Sequence, residues 1–196
     1  MRVFVVDNGG QWTHREWRVL KYLGVDTKII PNDAPLETVL EGGLDGLVLS
    51  GGAPRVGCAD ALGNCDQFLR KAPFPIMGIC AGHQYMAKVY GGDAAPGGSE
   101  FGEAKLQVLP HERPDILAGV PETSTVWESH HDEVSVVPTA FEVLARSERC
   151  GVQVMRKRPS EPGPARFGLQ FHPEVEHTQY GVTIFENFLK ACKGDV

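Results

Sequence analysis

Short, continuous apolar runs alternate with helical patterns through the first half of the chain: 3–6, an amphipathic stretch over 12–23, then 25–30, 44–49 and 76–79. Apolar runs without alternation suit strands covered on both faces, and such strands separated by helices build a parallel sheet between two helical layers. From 102 to 171 the rhythm shortens to runs such as 105–109, 134–137, 141–145 and 151–155, which predict antiparallel strands and hairpins. A last helix is expected over about 179–192. The expected fold is α/β, a three-layer, open, mostly parallel sheet flanked by helices with an added antiparallel segment. No internal repeat, low-complexity tract or linker interrupts the chain, so residues 1–196 are expected to form a single domain.

Composition narrows the partners. The net charge of −6 gives no electrostatic footprint for nucleic acid, and the one basic cluster, Arg156-Lys157-Arg158, runs into a Pro- and Gly-rich stretch that reads as a hairpin loop. Five cysteines, Cys58, Cys65, Cys80, Cys150 and Cys192, are odd in number and contain no Cys-x-x-Cys pair, which indicates neither a disulfide framework nor a zinc knuckle. A reducing, cytoplasmic setting fits. The opening apolar run is too short for a signal peptide, and no run approaches membrane-spanning length.

Chemistry in open α/β sheets gathers at the carboxyl ends of strands. Three segments are expected there: Asp7-Asn8-Gly9-Gly10-Gln11, Ser50-Gly51-Gly52-Ala53-Pro54, and Gly78-Ile79-Cys80-Ala81-Gly82-His83-Gln84. The last has the form of a nucleophile elbow, Gly-x-Cys-x-Gly, in which small residues on each side let strand and helix approach around a tight turn. The helix N-terminus favours negative charge and so suits a thiolate at Cys80. A buried, inert cysteine beside a β-to-α turn is the alternative.

A base is found near the end of the chain, in Gln170-Phe171-His172-Pro173-Glu174-Val175. Pro173 disfavours helix at His172, and in extended chain residues two apart point to one side, so Glu174 is expected to orient one imidazole nitrogen while the other faces the thiol. Cys80, His172 and Glu174 together match an acyl-transfer constellation. His83 is a weaker candidate base, having no nearby carboxylate in sequence.

The Ser50-Gly51-Gly52 loop can bring backbone amides close to a ligand, as a phosphate cradle or as half of an oxyanion hole completed by the amide of Ala81. The chain lacks a Gly-x4-Gly-Lys-Ser/Thr sequence, which favours the oxyanion hole; a plain tight turn at Gly51 stays open. The polar segment Trp127-Glu128-Ser129-His130-His131-Asp132-Glu133-Val134 reads as an exposed active-site or docking loop. A metal site on His130, His131 and Asp132 lacks further partners at suitable spacing, so no metal is expected.

These segments together resemble the class I, or triad, glutamine amidotransferases across essentially the whole chain, with a flavodoxin-like sheet implied. Within that family the likeness is to the glutaminase part of GMP synthases, carried by Asp7 to Gln11, Gly78 to Gln84, Ser129-His130-His131-Asp132-Glu133-Val134 and Gln170 to Val175. Anthranilate and aminodeoxychorismate glutaminases share the elbow and the His-Pro-Glu pair but usually carry a Tyr-His-Ser type segment where this chain has Ser129-His130. The resemblance implies a Cys80 nucleophile, a His172 base held by Glu174, oxyanion donors at Gly52 and Ala81, and glutamine seated with help from Gln84 and the Ser129-His130 backbone. Ala53 departs from the usual Ser-Gly-Gly-Pro, which leaves Gly51 and Gly52 both open as the donor. The length implies a stand-alone glutaminase polypeptide with no cofactor of its own, paired as a heterodimer with an ATP-pyrophosphatase subunit that holds ATP and Mg²⁺. Glutaminase components of other synthases, and a stand-alone γ-glutamyl hydrolase or peptidase, are the alternatives.

Overall fold

The computed structural model describes residues 1–57, 61–111 and 116–194, so Cys58 lies outside the described residues. Nine strands share one sheet: β1 (Val3–Asn8), β2 (Ile29–Pro31), β3 (Gly46–Gly52), β4 (Ile76–Ile79), β5 (Asp93–Val108), β6 (Thr123–Val136), β7 (Phe141–Arg146), β8 (Val154–Lys157) and β9 (Arg166–Leu169), in the spatial order β2-β1-β3-β4-β9-β8-β7-β5-β6. The first five in that order are parallel, the flavodoxin-like arrangement; from β9 onward the pairing is antiparallel. The antiparallel segment is therefore a continuous half of the same sheet. The helices are α1 (Thr13–Tyr22), α2 (Leu36–Leu40), α3 (Cys65–Lys71), α4 (Ala81–Val89) and α5 (Gly181–Lys193).

The period-two side-chain alternation of the central strands sorts their apolar residues into two cores. Phe4, Val6, Leu47, Leu49 and Ile76 pack with Phe68, Leu69 and Met86 of α3 and α4, while Val3, Val5, Val48, Met77 and Ile79 pack with Leu20 of α1 and Phe185 and Phe188 of α5. Both sides of the sheet are thus covered, which is why these strands read as continuous apolar runs. No helix among the described residues is long and apolar enough to cross a membrane.

Several elements differ from the sequence expectation. The strand expected over 25–30 narrows to Ile29–Pro31, and the short helices α2 and α3, too brief for a clear periodicity, are additional. The runs 105–109 and 134–137 are ends of two long paired strands, β5 and β6. The segment 127–134, expected as an exposed loop, lies inside β6. Ser124, Val126, Glu128, His130, Asp132 and Val134 are all buried with period two. Polar residues on the buried face concealed the strand, because an apolar/polar alternation is absent where both faces are polar.

Candidate active site

The topology brings the predicted nucleophile and base together. Strand β4 lies between β3 and β9, and the ladder continues past its end with the Cys80 amide donating to the Leu169 carbonyl at 2.7 Å. His172 follows Leu169 by three residues and is held by its own amide, which donates to the Trp127 carbonyl of β6 at 2.9 Å. Cys80 and His172 line one cavity on either side of Gly51, where an added Cβ would lie 3.6 Å from the Cys80 Cβ and 3.0 Å from the His172 Cε1. Glu174 Oε1 lies 2.7 Å from His172 Nδ1. The chain does not stay extended there, as the sequence suggested; it turns, with the Val175 amide reaching back to the His172 carbonyl, and the carboxylate meets the imidazole across that turn. Burial alone would lower the imidazole pKa, but the Glu174 carboxylate, through its charge and hydrogen bond, and the neighbouring Cys80 thiol outweigh it and hold His172 well above its ordinary value.

The elbow has the backbone that the glycines anticipate. Cys80 adopts φ 47° and ψ −105°, a conformation costly for any side chain. A Cβ at Gly78 would lie 2.6 Å from the Gly82 carbonyl oxygen, and one at Gly82 would lie 2.4 Å from the Leu49 carbonyl oxygen, so only glycine permits strands β3 and β4 and helix α4 to meet this closely. The same holds one loop away, where a Cβ at Gly10 would meet the Gly51 oxygen at 2.4 Å. Asn8 donates through its amide to Ser50 Oγ and through Nδ2 to the Ser50 carbonyl, fastening the end of β1 to the end of β3.

A cavity of about 290 Å³ opens over these strand ends, lined among others by Trp12, Glu16, Gly51, Cys80, Ser129 and His172. Trp12 meets His172 edge-on with ring centroids 4.4 Å apart. On the other side of Cys80 a recess of about 180 Å³ is bordered by Gly52, Ala81, Gln84, Phe101, Ser129 and His130. Ser129 stands at both, its carbonyl 3.9 Å from the Cys80 sulfur. Gln84 is turned away from the larger cavity, its Nε2 bound to the Asp132 carbonyl and to Gln170 Oε1. The His130 side chain also points inward, Nδ1 toward the Asp132 carbonyl and Nε2 toward Glu100 and Glu128, so only its backbone faces the site. His83 is buried beneath the sheet against the Val152 carbonyl, and burial lowers its pKa to about 3, which removes it as a candidate base.

Two features have no clear sign in the sequence. Asp132 receives the Arg55 guanidinium and, at 3.0 Å, the Gly57 amide, and so ties the loop after β3 to β6. Glu16, in the first turn of α1, is a buried carboxyl that lines the larger cavity beside Gly51. Burial raises its pKa well above the carboxylate range, and the Glu174 charge adds to the effect, against opposing pulls from His172 and Gly51. In sequence it is an ordinary polar residue of an amphipathic helix. Among the described residues, Glu100, His130 and Cys150 place donor atoms within 4.8 Å of one another, where a cation could be held; this group sits behind β6 and outside the cavity.

A thiol and an imidazole facing one cavity, with a carboxylate on an imidazole nitrogen and the whole set at the carboxyl edge of a parallel sheet, define an α/β protein built around a cysteine elbow. The model of the family Glutamine amidotransferase class-I matches residues 4–192, and the chain belongs to that family. The A subunit of the glutamine-hydrolyzing GMP synthase of Thermoplasma acidophilum is 47% identical over 98% of this chain and 93% of that protein; its namesake from Archaeoglobus fulgidus is 40% identical over 98% and 100%. A crystal structure from Thermoplasma acidophilum, of a protein assigned as the A subunit of a GMP synthase, matches with a TM-score of 0.89 at 46% identity and covers 100% of this chain and 95% of that one.

Proposed function

We propose that this chain is the glutamine-hydrolysing component of a GMP synthase, releasing ammonia from the glutamine side chain for amination of XMP to GMP by a separate ATP-pyrophosphatase subunit. The observation that carries this reading is the Cys80–His172–Glu174 constellation, in a chain whose relatives are named for that glutamine-hydrolysing role over nearly their full length. His172 takes the thiol proton as the Cys80 sulfur attacks the carboxamide carbon, and delivers it to the nitrogen that leaves as ammonia. The same imidazole then draws a proton from the water that hydrolyses the thioester. Glu174 fixes the ring orientation and stabilises the imidazolium formed in both steps.

Each step passes through an oxyanion, whose donors we assign as the amides of Gly52 and Ala81. Ala81 opens α4, where the first amides have no partner inside the helix, and Gly52 shares the recess with Cys80 and Ala81 whereas Gly51 does not line it, which favours Gly52 of the two glycines. Ser129 and the His130 backbone border the substrate position, and Gln84 supports it indirectly by bracing β6 against α4. Nucleotide and Mg²⁺ belong to the partner polypeptide in this reading, and the setting is cytoplasmic. Replacing Cys80→Ala should abolish glutamine-dependent GMP formation by the reconstituted pair while leaving ammonia-dependent formation intact. Glutamine use at the unaltered rate would refute the proposal.

A further inference from the structure

The steps above employ one carboxylate, Glu174, yet the cavity contains a second. Glu16 is 1% exposed, lines the same cavity as Cys80 and His172, and has an Oε2 without a partner among the described residues. The titratable groups facing it come from separate elements: Asp7 from the end of β1, and His172 and Glu174 from the turn beyond β9. A buried carboxyl with an unsatisfied oxygen is destabilising, so an apolar side chain would serve the fold better at this position. We infer that Glu16 is a positioning residue for the reaction, a second buried carboxyl whose charge is coupled to the charges of His172 and Glu174. The inference rests on Cys80 and His172 being the reacting pair.

The coupling works in both directions. When His172 accepts the Cys80 proton, its positive charge draws Glu16 toward the ionised form, and an ionised Glu16 in turn stabilises the imidazolium. Its proton is exchanged with solvent and never with substrate. At a pH where Glu16 is ionised, two carboxylates support the imidazolium; where it is protonated, Glu174 acts alone.

The test is the rate of Cys80 alkylation by iodoacetamide across pH, followed by peptide mass spectrometry, in the unaltered protein and in Glu16→Gln and Glu16→Leu. Glutamine keeps the size and polarity of the side chain but cannot ionise. The unaltered protein should show an ionisation that both variants lack, and above it Cys80 of the variants should react about tenfold more slowly, the factor that one pK unit of coupling represents. Glutamine hydrolysis should follow in kcat with little change in KM, while thermal unfolding of both variants stays level or rises. A purely structural role would instead lower the unfolding temperature and leave the pH profile unchanged. Superimposed profiles with fast Cys80 labelling would overturn the role of Glu16 alone. Labelling of Cys80 no faster than of Cys192 in the unaltered protein would overturn both this role and the proposed chemistry.

Discussion

At the scale of single residues, the thiol of the site is carried on a backbone that is costly to hold. Cys80 and Tyr180 are the non-glycine residues with positive φ among those described, and only Cys80 lies in the cavity. Its strain, on the order of 1–3 kcal/mol, is balanced by the packing of β3, β4 and α4 around Gly78 and Gly82. Glycine adopts such a conformation freely, so Cys80→Gly should be more stable than Cys80→Ala by about 1 kcal/mol, read as a higher urea midpoint, although both lack the thiol. Cys80, His172 and Glu174 were legible in the sequence because flanking glycines and a proline mark their backbones. Glu16 was not, because nothing in a helical pattern says which polar residue will be enclosed by two neighbouring loops.

At the scale of elements, β6 is the most instructive strand. Its inward face carries Glu128, His130 and Asp132, each with a different arrangement of partners: Asp132 is bound by Arg55 and Gly57, His130 by backbone and carboxylate, and Glu128 lacks a hydrogen bond to either oxygen among the described residues. Burial raises the Glu128 pKa to about 7, against the attraction of His130. Since the folded value exceeds that of the unfolded chain, near ~4.3, the folded state binds more protons between the two, and stability falls as pH rises through this window. Glu128→Gln should remove this group's share of the slope, worth on the order of 3 kcal/mol, so that the gap between unfolding midpoints at about pH 5 and about pH 8 narrows. The sequence disclosed only the C-terminal end of β6, in the apolar run 134–137, since period-two burial of the polar residues before it leaves no apolar signal. The central strands and α5 were readable for the opposite reason, as their burial is apolar throughout.

At the scale of the molecule, the parallel half supplies the crevice and the antiparallel half closes one side of it, through Ser129 on β6 and the Trp127 carbonyl that holds His172. The junction of the halves is β9, and at its base the buried guanidinium of Arg166 donates to the carbonyls of Leu69, Ala72, Phe74 and Ala165. Two of these carbonyls belong to the C-terminal end of α3, where a cation is well placed. Arg166→Met should lower the unfolding free energy by about 3–5 kcal/mol, because the acceptors would stay buried without donors; urea unfolding checks this, and the cavity at the opposite strand ends should keep its geometry. What the sequence alone determined was the α/β class, the elbow and the histidine–carboxylate pair, since local spacing and backbone preference encode them. What only the tertiary structure decided was the meeting of the two chain-distant parts, the burial of Glu16 between them, and the inward turn of Gln84 and His130. Those depend on strand order and on which surfaces become enclosed, and both arise from contacts between residues far apart along the chain.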